Sequence, residues 1–69
     1  MFYSRKITAS EAIVVIKKAG FVLVRQKGSH KIYKHPSGLR ITIPFHSGKV
    51  LHPKIIKEIL ITLKRIKEI

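Results

Sequence analysis

The fold is decided by residues 21–35, which read FVLVRQKGSHKIYKH. Two stretches rich in β-branched and apolar residues, 21–27 and 30–35, lie on either side of a Gly-Ser pair, and this pattern is typical of two strands joined by a two-residue turn. Because the first position of a type II′ turn needs a positive φ, glycine at position 28 fits it. These residues therefore predict an antiparallel hairpin.

The flanking residues predict a third strand and two helices. The stretch 39–43 follows a Pro-Ser-Gly turn and alternates strictly, so it is expected to be a third strand that stops at Pro44. Upstream, residues 8–11 (TASE) have the spacing of a capping box, which begins a helix that ends at Gly20. Downstream, Pro53 suits the first position of a second helix.

The pairing register assigns the side chains of the sheet to two faces. We expect Lys27 to pair with His30 across the first turn, and His35 to pair with Leu39 across the second. The expected core face carries Val22, Val24, Tyr33, Leu39, Ile41 and Ile43. The expected opposite face carries Leu23, Arg25, Lys27, His30, Ile32, Lys34, Arg40 and Thr42.

The two helices supply the cover that the core face needs. Each has an apolar stripe at helical spacing, and in a single domain these stripes leave Val14 and Ile61 exposed. The prediction is one α+β domain over residues 1–69, a three-stranded antiparallel sheet with two helices on one face in the order α-β-β-β-α. Double-stranded-RNA-binding domains have this arrangement.

Composition indicates a basic protein whose partners are polyanions. The chain carries 15 Lys and Arg against 3 Asp and Glu, a net charge of +12 at pH 7. A field of this sign attracts polyanions, and nucleic acid is the first expectation. The chain has no cysteine, which excludes disulfides and thiolate metal sites.

The sequence also argues against metal and membrane sites. No acidic residue lies between Glu11 and Glu58, so a Mg²⁺ site in the basic middle of the chain lacks carboxylate ligands, and no cofactor is expected. The longest apolar run, residues 12–16, is far shorter than the roughly 20 residues that span a bilayer. The N-terminus lacks the apolar stretch of a signal peptide. A cytoplasmic protein without membrane contact is expected.

His30 is the leading candidate for chemistry. Free imidazole titrates near neutrality, at about 6.5, so a histidine held on a cationic surface is suited to move a proton during RNA phosphodiester cleavage. The alternative is that His30 is an exposed surface residue without a catalytic role. The candidate RNA-binding residues around it are Arg25, Lys27, Ser29, Lys31, Lys34 and Arg40.

The other three histidines receive different expectations. His46 is a second acid/base candidate if its loop folds back to the sheet, although a loop histidine that caps backbone groups after Pro44 is an equal alternative. His35 is expected to be a turn residue, and His52 a residue at the N-terminus of the second helix.

Several motifs together resemble one known family. The chain resembles the HicA-type mRNA interferase toxins of bacterial and archaeal toxin–antitoxin systems. The motifs that carry the resemblance are Lys18-Ala19-Gly20-Phe21, residues 24–30 (VRQKGSH) with Tyr33, Ile43-Pro44-Phe45-His46, and Gly48-Lys49 before Leu51. The resemblance implies ribosome-independent mRNA cleavage, a fold like that of double-stranded-RNA-binding domains, and neutralisation by a HicB-type antitoxin. The catalytic histidine of the family's Gly-Ser-His element falls on His30.

The resemblance and the chemistry favour a metal-independent endoribonuclease, a toxin of a type II system, with His30 as the base. Two alternatives stay open: a non-catalytic RNA-binding module and a scaffold for an acidic protein partner. The expected partners are mRNA and the antitoxin, which should lie across or beside the Arg25, Lys27 and His30 face. Val14 or Ile61 is expected at a secondary antitoxin contact or at a homodimer seam.

Overall fold

The computed structural model describes residues 6–46 and 49–67. The elements are α1 (Ala9–Lys18), β1 (Val22–Lys27), β2 (His30–Lys34), β3 (Arg40–Pro44) and α2 (Pro53–Lys67). The three strands form one antiparallel sheet in the order β1-β2-β3, so β1 and β3 are its edges. This confirms the predicted α+β fold with the order α-β-β-β-α. In the described part of the chain, neither helix is long and apolar enough to cross a membrane.

Helix α1 begins and ends as its sequence predicts. The Thr8 hydroxyl accepts a hydrogen bond from the Glu11 backbone N–H at 3.2 Å, and the Glu11 carboxylate accepts one from the Thr8 N–H at 2.9 Å. At the other end Gly20 has a φ of +106°, and the Phe21 N–H donates to the Ile16 carbonyl at 3.0 Å. This arrangement is a Schellman motif, which turns the chain sharply into β1.

Both predicted turns of the sheet are present. Gly28 has a φ of +59° and Ser29 does not have a positive φ, as a type II′ turn requires, and Lys27 pairs with His30. In the second turn Gly38 has a φ of +95°, and the His35 N–H donates to the Leu39 carbonyl at 2.9 Å. The predicted register between β2 and β3 is therefore confirmed.

One hydrophobic core lies between the helices and one face of the sheet. Tyr33, Ile41 and Ile43 of that face are buried against Ile16 of α1 and Ile59 of α2. The helix contacts with the sheet are concentrated on β3. The predicted helix stripes are confirmed, and the two residues predicted to lie off them are half exposed: Val14 at 54% and Ile61 at 50%.

Strand β1 departs from the prediction. Val22 and Val24, expected in the core, are 60% and 56% exposed. A bulge between Leu23 and Arg25 leaves Val24 without a partner. Leu23 therefore pairs with Tyr33 and lies on the same face as Tyr33, not on the basic face where it was expected. Because the helices pack mainly on β3, the side chains of β1 stay exposed.

A contact between distant parts of the chain completes the core. The Leu51 N–H donates to the Ile7 carbonyl at 2.6 Å, and Thr8 forms an isolated bridge with Val50. Ile7 and Leu51 are both buried. The segment that precedes α2 is thus held beside the start of α1, a contact that the sequence pattern did not predict.

Candidate functional site

The Gly28-Ser29 turn places His30 at the start of β2 and is held from two sides. The Gln26 side-chain amide donates to the Gly28 carbonyl at 3.1 Å. The Phe45 backbone N–H donates to the Ser29 carbonyl at 2.6 Å. The His30 side chain is exposed, and its ring has no hydrogen bond to any residue within 6–46 and 49–67. A fixed backbone therefore carries an imidazole whose two nitrogens are available.

Two cations lie next to His30 on the same face of the sheet. Lys27 is directly opposite His30, which puts their Cβ atoms about 5 Å apart. Arg25 is paired with Ile32 and is therefore the diagonal neighbour of His30, at about 7–8 Å. Both side chains are exposed. The predicted grouping of Arg25, Lys27 and His30 on one face is confirmed by this register.

A second cationic pair lies at the other end of the same face. Lys34 is directly opposite Arg40. Like charges that face each other across a sheet destabilise it, and in the described part of the chain no ion pair offsets them. Lys34 is four positions after His30 along the strand, a rise of about 13 Å. Such a pair gains stability when an anion binds between its members.

Lys31 does not belong to this basic face. It pairs with Ile43 on the core side of the sheet, and its Nζ lies 4.1 Å from the centre of the Phe45 ring. A cation–π contact of this kind orders the segment after β3. The structure therefore separates Lys31, predicted to bind RNA, from the face that carries His30, because alternate residues of a strand point to opposite faces. Ser29 is half-buried in the turn, where its carbonyl accepts the Phe45 N–H.

His35 is a structural histidine, as expected for a turn residue. Its Nδ1 accepts the Ser37 backbone N–H at 3.0 Å and lies 2.9 Å from the Ser37 hydroxyl oxygen. Its ring lies against Phe21 with a centroid distance of 5.2 Å. A Cβ added at Gly20 would come within 3.1 Å of the ring. The imidazole is thus enclosed by its turn and by the end of α1.

His46 comes two residues after Pro44, the residue that pairs with His30. The hydrogen bond from the Phe45 N–H to the Ser29 carbonyl continues the pairing of β3 with the hairpin one residue past Pro44, up to the residue before His46. The His46 side chain is exposed and lines a cleft of about 290 Å³ with Lys49 and His52.

Two residues that support the site were not selected by sequence reasoning. Gln26 closes the turn and Phe45 holds it from the β3 side. Both stand inside the motifs that carry the family resemblance, and this position was the only signal for them. Nothing in hydrophobic periodicity distinguishes a glutamine that bonds a turn from one in solvent.

The face of the sheet that carries His30 is chemically suited to bind a polyanion and to take a proton from it. It combines one exposed imidazole with cations at two distances, and the two acidic residues in the described part of the chain, Glu11 and Glu58, lie on the helices. On the other face of the sheet, burial raises the pKa of Tyr33. That hydroxyl belongs to the core and not to the site.

Comparison with known protein families identifies the family of the chain. A family model described as the HicA toxin of bacterial toxin–antitoxin systems matches residues 9–67. This range includes both helices, all three strands and every candidate site residue. The curated proteins contain no match to the chain.

Proposed function

Because the chain belongs to the HicA family of toxins from bacterial toxin–antitoxin systems, we propose that it is a metal-independent endoribonuclease that cleaves mRNA. The catalytic base is His30. One observation carries the proposal: an exposed imidazole stands on a braced turn, directly opposite Lys27, on a face whose other charged side chains are cations.

The reaction follows from the chemistry of RNA. A nitrogen of His30 takes the proton of a ribose 2′-hydroxyl, and the 2′-oxygen attacks the adjacent phosphorus. The bond from phosphorus to the 5′-oxygen breaks, and that oxygen takes up a proton. The products are a 2′,3′-cyclic phosphate and a 5′-hydroxyl end, so this step consumes no water.

The cations divide into two roles by distance. Lys27 and Arg25 are near enough to His30 to hold the negative charge that builds on the reacting phosphate, and the Arg25 guanidinium can bind two of its oxygens at once. Lys34 and Arg40, about 13 Å along the sheet, bind a neighbouring phosphate. Arg40, first expected beside the reacting group, therefore has a gripping role.

The proton for the leaving oxygen comes from one of two groups. His30 can return the proton that it took, or His46 can supply a second one. His46→Ala separates the two: a loss of cleavage comparable to that of His30→Ala assigns the acid to His46. Unchanged cleavage assigns both steps to His30.

The test is incubation of the purified protein with single-stranded RNA in EDTA. We expect cleavage, 2′,3′-cyclic phosphate ends, and loss of both in His30→Ala. RNA that is bound but stays intact, equally in the wild type and in His30→Ala, would instead identify a non-catalytic RNA-binding module. No RNA affinity at moderate salt would point to a scaffold for an acidic protein.

The antitoxin partner is proposed to be a HicB-type protein that covers the same face. Inhibition needs only that RNA be kept from His30, and Asp or Glu side chains of the partner would meet Arg25 and Lys27. Val14 and Ile61 are exposed apolar points for a secondary contact or a homodimer. Increasing salt should weaken the complex. A partner that leaves His30 open to RNA while inhibiting would contradict this steric and electrostatic account.

A further inference from the structure

We propose that the cleft between the end of β3 and the start of α2 binds a further phosphate of the RNA strand, beyond the one on which His30 acts and the one that Lys34 and Arg40 bind. Its ligands are Lys49 and His52, joined by His46 if His30 carries out both proton transfers of the cleavage reaction. This inference rests on the proposed function, because the ligand is the same RNA, but it concerns a separate site on the protein.

The cleft brings together three cationic or hydrogen-bond-donating side chains. It has a volume of about 290 Å³, and His46, Lys49 and His52 line it together with Pro44 and apolar neighbours. All three polar side chains are exposed. None of the residues lining the cleft is acidic, so an anion that enters meets no repelling carboxylate there.

The cleft continues directly from the His30 face. Pro44 is paired with His30 across β2 and β3 and also forms part of the cleft wall. The Phe45 to Ser29 hydrogen bond fixes the segment that leads from one to the other. A strand of RNA that lies over His30 and crosses the β3 edge at Pro44 therefore reaches the cleft without leaving the protein surface.

The orientation of His52 provides a donor for a phosphate oxygen. The Lys54 backbone N–H donates to Nδ1 of His52 at 3.0 Å, so that nitrogen carries no proton and the neutral ring carries its proton on Nε2. The role in capping α2 thus uses one nitrogen and leaves the other as a donor. The two functions of His52, helix cap and ligand, do not compete.

The nearest acidic side chain serves a different crevice. Glu58 lies with Arg40 and Thr42 in the adjoining crevice between β3 and α2, which shares Ile55 with the cleft. Between His52 and Glu58 the helix rises about 9 Å. The carboxylate therefore lines the crevice beside Arg40 and not the cleft of Lys49 and His52.

The experiment measures binding of a short single-stranded RNA in a His30→Ala background, where RNA stays intact. Lys49→Gln and His52→Asn are added singly, and anisotropy is followed over a range of salt concentrations. Asparagine is a good N-cap residue, so His52→Asn keeps the helix cap and removes the Nε2 donor. Each change should weaken binding about 3- to 10-fold, the range for loss of one hydrogen bond.

The matched control is Lys64→Gln. Lys64 is an exposed lysine of the same helix, about 18 Å along its axis from His52. The Lys64→Gln substitution removes one positive charge, as Lys49→Gln does. Lys49→Gln should also flatten the plot of log K against log salt by up to about 0.7, the value for one single-strand phosphate, whereas Lys64→Gln should not. Equal affinities and slopes for Lys49→Gln, His52→Asn and Lys64→Gln would overturn the proposal.

The result separates this site from the proposed activity. If the wild type cleaves RNA and the cleft variants bind RNA with unaltered affinity, the proposed cleft site is wrong and the proposed ribonuclease activity stands. If the wild type does not cleave RNA and the cleft variants bind RNA more weakly, the proposed cleft site stands and the proposed ribonuclease activity is wrong. If the cleft variants lose antitoxin affinity and keep RNA affinity, the cleft serves carboxylates of the partner and the proposal is wrong.

Discussion

Strand β2 carries a histidine at each end, and the two lie in opposite surroundings. His35, just after the strand, is bonded to Ser37, packed on Phe21 and close to Gly20. His30, at the start of the strand, is exposed beside Lys27, and the bonds in its turn are made by other groups. Both residues adjoin a hairpin turn. The turn at His35 uses the histidine ring for its own stability, whereas the turn at His30 leaves the ring available to a ligand.

The largest expected effect is on catalysis at the His30 end. His30→Ala should reduce RNA cleavage about 10²- to 10⁴-fold, the usual contribution of a positioned base. Stability should change by less than about 0.5 kcal/mol, because the side chain is exposed. Cleavage rates and urea unfolding of the same preparations measure both. Cleavage by His30→Ala at the wild-type rate would remove the assignment.

The converse is expected at the His35 end. His35→Ala should lower the free energy of unfolding by about 1–3 kcal/mol, since it removes the ring contact with Phe21 and the bond from the Ser37 N–H. The folded fraction should cleave RNA at the wild-type rate. His35→Asn is the control, because asparagine can accept the same turn hydrogen bond. If His35→Ala were as stable as the wild type, the two ends of β2 would not differ as described.

The basic face should show a smaller effect, on the salt dependence of RNA binding. With about 4 to 6 phosphates contacted, log K against log salt should slope near −3 to −4. Arg25→Ala and Lys27→Ala should each flatten it by somewhat less than one unit. Lys31→Ala is the matched comparison, since Lys31 lies on the other face over Phe45, and it should leave the slope nearly unchanged. Equal slopes for all three variants would contradict the division into faces.

The smallest effect concerns Tyr33, in the middle of β2. Burial raises its pKa in the folded protein above the unfolded value of 10.0. The unfolded chain therefore loses this proton first, so the stability that the neutral phenol provides is complete below about pH 10 and is lost as the pH rises further. Tyr33→Phe should lose less stability than the wild type over this alkaline range. Parallel stability curves for the two proteins would show that the hydroxyl is not desolvated.

The prediction of the fold from sequence succeeded where local signals agreed with packing. In β2 and β3, strict alternation and the two glycine turns gave the right register, and the capping box gave the start of α1. In β1, the alternating pattern predicted that Val22 and Val24 point into the core. The helices pack mainly on β3, so both valines are exposed and this prediction was wrong. The bridge of Thr8 to Val50 is a tertiary contact with no local signal.

For the candidate site, the same difference holds. The grouping of Arg25, Lys27 and His30 follows from pairing across a two-residue turn, which the sequence specifies. The bracing by Gln26 and Phe45 depends on where a side chain and a later segment come to lie. The Lys49 and His52 cleft likewise exists only because the chain before α2 returns to the sheet.

The bulge at Val24 has a consequence for how the protein behaves at high concentration. Strand β1 is an edge of the sheet, and Val22, Leu23 and Val24 form an exposed apolar run on it. A flat edge of this kind is a template on which other chains add strands and aggregate. The bulge interrupts the regular row of backbone donors and acceptors and increases the local twist. With Arg25 and Lys27 beyond the bulge, we expect this edge to resist pairing with other chains despite its exposed valines.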